Sequence, residues 1–362
     1  MVCVNKMYSK NGCSEKYFKS DLKLMGDELM EVAFTTYSNF IQLADDESKV
    51  KKLRNEYRLL ANKFVRSNLY VFYQKYLELK LDKQNNGQPL STTEKSLVND
   101  IESLKLCHYT NFDSFKLMLK NHQLWFSRLK CMNDSDEGKF LKDYIENVYL
   151  NNKEGYLKTN LPEHINNFYT MSFTTEVDDS SQWDRYGEHG KGVCLVSSFT
   201  RLISFFINNY KMFCITPILY LPFSEKTDHN LFLDCILSTV TSKYKGQHVK
   251  LTQQLASWCP IVKNISFYHE SELRLICNVD YVKNSRFFVN EADKLKLNLD
   301  DYVKEILSVD DPFSVMYEKV IIGPENTSFE EQKENLLKGI ELSKLKVERS
   351  SSTLKAKKEN HG

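Results

Sequence analysis

Two carboxylates and an arginine stand at alternate positions in the sequence FYHESELRL, as Glu270, Glu272 and Arg274. In an extended strand, period-two alternation puts these three side chains on one face and the leucines on the other. A carboxylate beside a developing oxocarbenium ion lowers its energy, and an arginine can fix the geometry. We therefore take these three residues as catalytic candidates. A solvated strand face with a cross-strand ion pair would give the same pattern.

A second polar group lies in the sequence LKLCHYT, where His108, Tyr109 and Thr110 fall on a predicted strand. Successive strand residues point to opposite faces, so His108 and Thr110 share one face. These residues are candidates for ligand binding, although a strand histidine is also typical of a satisfied structural residue. Trp183 and Tyr186, three residues apart in the predicted short helix SSQWDRY, share a face that serves either a ligand or the core.

The elements that must position these residues change in character near residue 100. Apolar residues recur at helical spacing from about 15 to 80, which predicts an all-α extension over residues 1–100. Such an extension is typical of a scaffold for homo-oligomer or partner contact. A capping box in STTE, from Ser91, predicts a short final helix.

Strands and helices interleave over residues 101–348. This pattern predicts an α+β core domain, a small mixed or antiparallel sheet with flanking helices. Predicted strands include LKLCHYT, QLWFSRL, GVCLVSS, ELRLICNV and YEKVIIGP, with long helices at 199–213 and 229–256. The polar residues 349–362 predict a disordered tail.

Composition excludes several classes of protein. Lys and Arg number 49 against 48 Asp and Glu, so the net charge of +1 gives no global field for a polyanion or an anionic membrane. The nine cysteines form no C-x-x-C pair, and no metal-ligand spacing, Walker loop or G-x-S-x-G elbow occurs. No segment has the length and apolarity of a membrane span or signal peptide. We expect a cytoplasmic protein with no membrane contact and no metal.

The motifs between about 105 and 340 resemble those of a bacterial family known as domain of unknown function 2971. They follow the family's order: HYT from His108, LWFS from Leu124, MND from Met132, SFT from Ser172, WDRY from Trp183, GVCL from Gly192, the acidic strand, and IIGP from Ile321. The chain departs from the family at two positions: Ser135 stands where a proline is common in the family, and Leu273 stands where an aromatic residue is common. The family name carries no activity.

The order of these motifs also resembles, by analogy, the ADP-ribosyltransferase-like fold, including the toxin DarT. This resemblance implies NAD as the substrate. Carried over by position, His108 and Ser127 would help to bind NAD, and Tyr186 or Trp183 would pack against the nicotinamide. Glu272 would be the catalytic glutamate on the late strand.

The resulting hypothesis is an ADP-ribosyltransferase or NAD glycohydrolase, in which Glu270 would orient the attacking group. Its acceptor is unknown, either a protein or a nucleic acid, and its setting would be toxin or phage-defence conflict. A non-catalytic ligand-binding or interaction module is the alternative. A nuclease is a third, since Asp134, Glu137, Glu270 and Glu272 could gather a magnesium ion. The enzyme hypothesis requires His108, an aromatic ring and Glu272 to line one pocket.

Overall fold

The structure of the chain, a computed structural model, describes residues 89–132, 138–149, 155–207, 213–221, 244–282, 285–291, 293–306, 312–339 and 345–353, with residues 77, 233, 237 and 240–242. The extension predicted before position 89 lies outside these residues, apart from position 77. Its predicted final helix is confirmed as α1, Thr92–Ser103. Val98 of this helix is buried in the main core, so the core domain begins before the boundary predicted at residue 101.

The remaining elements alternate along the chain. The strands are β1 Lys105–Thr110, β2 Gln123–Arg128, β3 Phe168–Thr174, β4 Val193–Ser198, β5 Phe213–Pro217, β6 Leu219–Leu221, β7 Val262–Asn264, β8 Glu272–Asn278, β9 Phe288–Glu291, β10 Lys294–Asn298, β11 Lys319–Ile322 and β12 Lys346–Arg349. The helices are α2 Phe112–Lys120, α3 Lys139–Tyr144, α4 Gly155–Ile165, α5 Ser180–Tyr186, α6 Phe199–Ile207, α7 His248–Ala256, α8 Val279–Val282, α9 Leu299–Ile306, α10 Pro312–Met316 and α11 Phe329–Gly339.

Ten of the described strands form one mixed sheet. Its order is β12-β11-β4-β1-β3-β2-β10-β9, with β8 paired to both β3 and β5. The pairs are antiparallel except β11 with β12, and β6 and β7 form a separate parallel pair. The predicted α+β class is confirmed, although the sheet is larger than the small one expected.

The sheet splits along one edge of β3. At the start of β3, Thr170 pairs with Ser127 of β2, whereas at its end Thr174 pairs with Cys107 of β1. The described strands leave residues 171–173 unpaired on this edge, while β8 pairs with the whole opposite edge of β3. Strands β1 and β2 therefore diverge from each other, and the gap between them can admit a ligand.

Hydrophobic residues cover both faces of the sheet. Helix α6 reads FTRLISFFI and buries five side chains at helical spacing in the main core, Phe199, Leu202, Ile203, Phe205 and Phe206. Burial of each large side chain contributes about 1.5–3 kcal/mol. A smaller cluster on β1, β4, α5 and β11 holds Cys107, Tyr109, Trp183, Cys194, Val196 and Ile321. This second cluster fixes helix α5 beside the split.

The beginning of the predicted disordered tail is ordered. Strand β12 reaches Arg349, and the hydroxyls of Ser350 and Ser351 then donate hydrogen bonds to the Asp178 carboxylate. Residues 354–362 lie outside the described residues. The ordered part of this segment holds the loop that precedes α5, because Asp178 lies just before that helix.

Within the described part of the chain, no helix combines the length and apolarity needed to cross a membrane.

Candidate functional site

A cavity of about 470 Å³ occupies the split between β1 and β2. Small-molecule sites commonly fall within roughly 300–1,000 Å³. Seven of the nine candidate residues line this cavity: His108, Tyr109, Thr110, Ser127, Tyr186, Glu270 and Glu272. Trp183 and Arg274 do not line it. The polar groups predicted from distant parts of the sequence thus meet in one place.

Two glutamates and two cations form a buried network at one end of the cavity. The Glu272 carboxylate accepts hydrogen bonds from Arg274, at 2.7 Å from Nε and 3.1 Å from Nη2. The Lys263 ammonium lies 2.6 Å from Glu270 Oε2 and 3.3 Å from Glu272 Oε2. All four residues are buried. Each charge therefore has an opposite charge beside it, which burial in a low-dielectric region requires.

The two glutamates have different electrostatics. Burial opposes ionisation of Glu272, but the Arg274 guanidinium and Lys263 ammonium outweigh it and lower the pKa of Glu272 to about 2. Burial raises the pKa of Glu270 above its ordinary value, against the opposing effect of the Lys263 ammonium. Neighbouring carboxylates with separated pKa values are the usual arrangement for one permanent anion and one proton-exchanging group.

The backbone brings the glutamates together differently from the predicted strand. Glu270 ends a 3-10 turn, Ile265–Glu270, and strand β8 begins only at Glu272. Ser271 between them has a φ of +46°, a conformation that non-glycine residues rarely adopt. The Thr174 hydroxyl donates to the Glu270 carbonyl at 2.8 Å and helps to hold this turn. The prediction of one strand face for all three polar residues was therefore wrong, although their side chains converge.

His108 closes the unpaired stretch of β3. Its Nδ1 lies 2.8 Å from the Ser172 carbonyl oxygen; because a carbonyl oxygen can only accept, Nδ1 carries the hydrogen and donates a hydrogen bond to that oxygen. Burial lowers the pKa of His108 to about 4, with a smaller contribution from the Lys294 ammonium. The ring is therefore neutral near pH 7, and Nε2 is its acceptor nitrogen.

The two aromatic candidates on α5 have different surroundings. Trp183 is fully buried, donates from Nε1 to Asp178 at 2.8 Å, and packs edge-to-face on Tyr109 with ring centroids 4.9 Å apart. The close packing extends to Gly187, where an added Cβ would lie 2.4 Å from the Trp183 ring. Trp183 therefore anchors the helix, and Tyr186 is the ring that lines the cavity.

Hydroxyl groups connect the aromatic residues to the acidic network and to the preceding loop. Tyr186 donates a hydrogen bond to Glu270 Oε1. The Tyr109 hydroxyl donates to the Glu176 carbonyl and accepts from the Asp179 amide, both at 3.0 Å. Tyr109 lines the cavity, yet its hydroxyl holds the loop that leads into α5.

Residues 182–275 match a protein family described as protein of unknown function (DUF2971). The chain carries a DUF2971 region. This confirms the family predicted from the motifs, over a segment shorter than the one expected. No curated protein and no solved structure matches the chain. The resemblance to ADP-ribosyltransferases therefore stays a prediction.

The DUF2971 region contains the acidic end of the cavity, and residues outside the region complete the other walls. Tyr186, Glu270 and Glu272 lie inside the matched segment, whereas His108 and Ser127 precede it. The candidate site therefore depends on the larger α+β domain.

Two lysines that line the cavity were not predicted from the sequence. Lys263 of the DUF2971 region is a lone charge in the apolar sequence WCPIVKNI, a pattern that could have indicated a buried ion pair. Lys294 lies on the hairpin formed by β9 and β10, which was not predicted. The alternation of lysine and leucine in KLKLN was the only local pattern that indicated a strand of this hairpin.

The described residues contain no group of three or more histidine, cysteine, aspartate or glutamate side chains placed to hold a metal ion. Asp134 and Glu137, two of the four carboxylates considered for a nuclease site, lie outside the described residues. The other two, Glu270 and Glu272, are paired with cations of this chain.

Proposed function

We propose that the protein cleaves the bond between nicotinamide and ribose in NAD, transferring ADP-ribose to an acceptor or to water. The observation that carries this proposal is the convergence of His108, Tyr186 and Glu272 on one cavity of about 470 Å³. An ionised carboxylate, a neutral acceptor histidine and an aromatic ring match the three parts of the substrate: the reacting ribose, the other ribose and the nicotinamide.

Glu272 is suited to stabilise the positive charge that develops on the ribose. As the bond between C1′ and nicotinamide nitrogen breaks, its electron pair neutralises the nicotinamide ring and C1′ becomes oxocarbenium-like. A carboxylate with a pKa of about 2 stays ionised and stabilises this centre. Arg274 fixes the carboxylate through two hydrogen bonds, so little reorganisation accompanies the reaction.

Glu270 completes the reaction as general base. The acceptor hydroxyl or water attacks C1′ through its oxygen, and its proton passes to the Glu270 carboxylate. Burial raises the pKa of this group, which makes it a stronger base than an ordinary glutamate. Tyr186 orients the carboxylate through its hydroxyl, and its ring packs against the nicotinamide.

One observation favours a second candidate function, a ligand-binding module without turnover. Both Glu272 oxygens already accept hydrogen bonds from Arg274, and one also contacts Lys263. In this second function the network only holds the wall of the cavity. The cavity would then bind its ligand and release it unchanged.

We further propose a bacterial cytoplasmic setting in toxin or phage-defence conflict, with a protein or nucleic acid as acceptor. The cysteines among the described residues are all free thiols, which supports a reducing compartment. The family resemblance supplies the bacterial setting.

The experiment uses purified full-length protein, NAD labelled in its adenylate phosphate, and bacterial lysate. Nicotinamide release is followed by chromatography, and label transfer is followed in the protein, RNA and DNA fractions. Wild type is compared with Glu272→Gln and with Glu291→Gln, a control that removes an exposed carboxylate on β9 outside the cavity. We expect Glu272→Gln to slow release by about 100-fold or more and the control to match wild type.

Glu272 is also the ionic partner of Arg274, so thermal unfolding of each variant is measured in parallel. Tyr186→Phe, which removes one hydroxyl, serves as a second variant in case Glu272→Gln fails to fold. Folded wild-type protein that releases no nicotinamide with any fraction would support the binding module. Equal release by wild type and both site variants would exclude these residues from the chemistry.

A further inference from the structure

Lys294 and Ser127 form a polar pair at the end of the cavity made by β2 and β10. The two residues are register partners across these antiparallel strands, and the Lys294 ammonium donates to the Ser127 hydroxyl at 2.8 Å. Both side chains line the cavity. The acidic network, in contrast, is formed by residues of β7, β8 and the turn before β8.

Charge is unbalanced at the lysine end of the cavity. Lys263 and Arg274 have Glu270 and Glu272 as partners, but the described residues place no carboxylate within ion-pair distance of Lys294. The adjacent Asp293 carboxylate lies 3.7 Å from Arg128 and acts on Lys294 only from beyond ion-pair distance. A cation in a cavity wall without a fixed counter-ion attracts an anionic group of a ligand.

Partial desolvation of the Lys294 ammonium adds to this preference, although the residue as a whole is exposed. This desolvation lowers the pKa of Lys294, because moving an ammonium out of water costs free energy. The Lys294 charge also lowers the pKa of His108, so the ammonium and the imidazole are electrostatically coupled across the cavity. A bound anion beside Lys294 would stabilise the ammonium and offset this cost.

We propose that Lys294 and Ser127 form a subsite for a phosphate group of the ligand. An ammonium and a hydroxyl can both donate hydrogen bonds to phosphate oxygens, and the ionic donor makes these bonds stronger than neutral ones. This inference rests on the proposed function for the identity of the group, which would be the pyrophosphate of NAD. His108 Nε2 would then accept a hydrogen bond from the neighbouring sugar.

The test compares four probes by titration calorimetry on the full chain: adenosine, AMP, ADP-ribose and inorganic phosphate. The variants are Lys294→Gln, Lys294→Arg and Lys319→Gln. Lys319 is a matched control, because it lies on β11 outside the cavity and pairs with Glu348 at 2.8 Å. The thermal midpoint of each variant verifies its folding.

We expect wild type to bind AMP and ADP-ribose about tenfold more tightly than adenosine. Lys294→Gln should lose this preference, whereas Lys294→Arg and Lys319→Gln should keep it. Inorganic phosphate should compete with AMP for binding to wild type but not for binding to Lys294→Gln. No binding of any probe by wild type, equal affinity for AMP and adenosine, or an unchanged preference in Lys294→Gln would overturn the subsite.

The subsite and the proposed reaction can fail separately. Nicotinamide release without a phosphate preference would leave the reaction standing and remove the subsite. A phosphate preference that depends on Lys294, without any NAD turnover, would keep the subsite and refute the reaction.

Discussion

The substitution Lys263→Met tests whether the buried network holds the acidic end of the cavity. The Lys263 ammonium lies 2.6 Å from Glu270 and 3.3 Å from Glu272, and the side chain is 6% exposed. Removing one partner of a buried ion pair costs about 3–5 kcal/mol, because the remaining charge stays buried and uncompensated. Arg274 still neutralises Glu272 in the variant, so the loss falls mainly on Glu270.

The pH dependence of this loss has a defined sign. Burial raises the pKa of Glu270 in the folded state above the ordinary 4.5. Its contribution to stability is therefore fully present below the unfolded pKa and is lost as pH rises through the folded pKa. Lys263 lowers the pKa of Glu270, so its removal raises that pKa further and extends the loss to higher pH. We expect the destabilisation to be smallest at about pH 5 and largest at about pH 8.

The assay is thermal unfolding of wild type, Lys263→Met and Lys319→Met between these two pH values. A loss of 3–5 kcal/mol lowers the midpoint of a domain of this size by on the order of 10 °C. The control Lys319→Met removes only a partly exposed ion pair with Glu348, which contributes at most about 1 kcal/mol to the free energy of unfolding. A Lys263→Met midpoint equal to that of the control at pH 8, or one without the pH trend, would refute the reasoning.

Three further substitutions separate chemistry from packing. Tyr186→Phe removes a hydroxyl that lowers the pKa of Glu270, so the acid limb of nicotinamide release against pH should move to higher pH; an unmoved limb would exclude Glu270 as the base. Trp183→Phe should lower unfolding free energy in urea by about 1–3 kcal/mol yet leave ADP-ribose affinity unchanged, since Trp183 does not line the cavity. Weaker binding would contradict that separation. Gly192→Ala should cost about 1–3 kcal/mol by thermal unfolding, because the added Cβ would lie 2.3 Å from the Thr110 carbonyl oxygen; a wild-type midpoint would contradict it.

Local sequence patterns predicted many of the elements that carry the site. The apolar run in GVCLVSS indicated β4, all six residues of which are buried between β1 and β11. The helix predicted at 199–213 is confirmed as far as Ile207, but Phe213–Pro217 forms strand β5. The next sequence, CITPILYL, predicts a strand, and β5 and β6 confirm it.

The cavity itself depends on contacts that no local pattern contains. The hydrogen bond from His108 to Ser172 spans 64 positions, and the one from Lys294 to Ser127 spans 167. The enzyme hypothesis requires His108, an aromatic ring and Glu272 to line one cavity, and His108, Tyr186 and Glu272 do so. The order of the motifs did not indicate Lys263, because the importance of this residue follows only from its distances to Glu270 and Glu272.

A crystal structure of the protein with a non-hydrolysable NAD analogue would test the central claim most directly. We predict a dinucleotide in the split between β1 and β2, with the nicotinamide ribose within hydrogen-bond distance of Glu272 and a sugar hydroxyl on His108 Nε2. An analogue bound elsewhere, or an empty cavity at saturating analogue, would contradict the account.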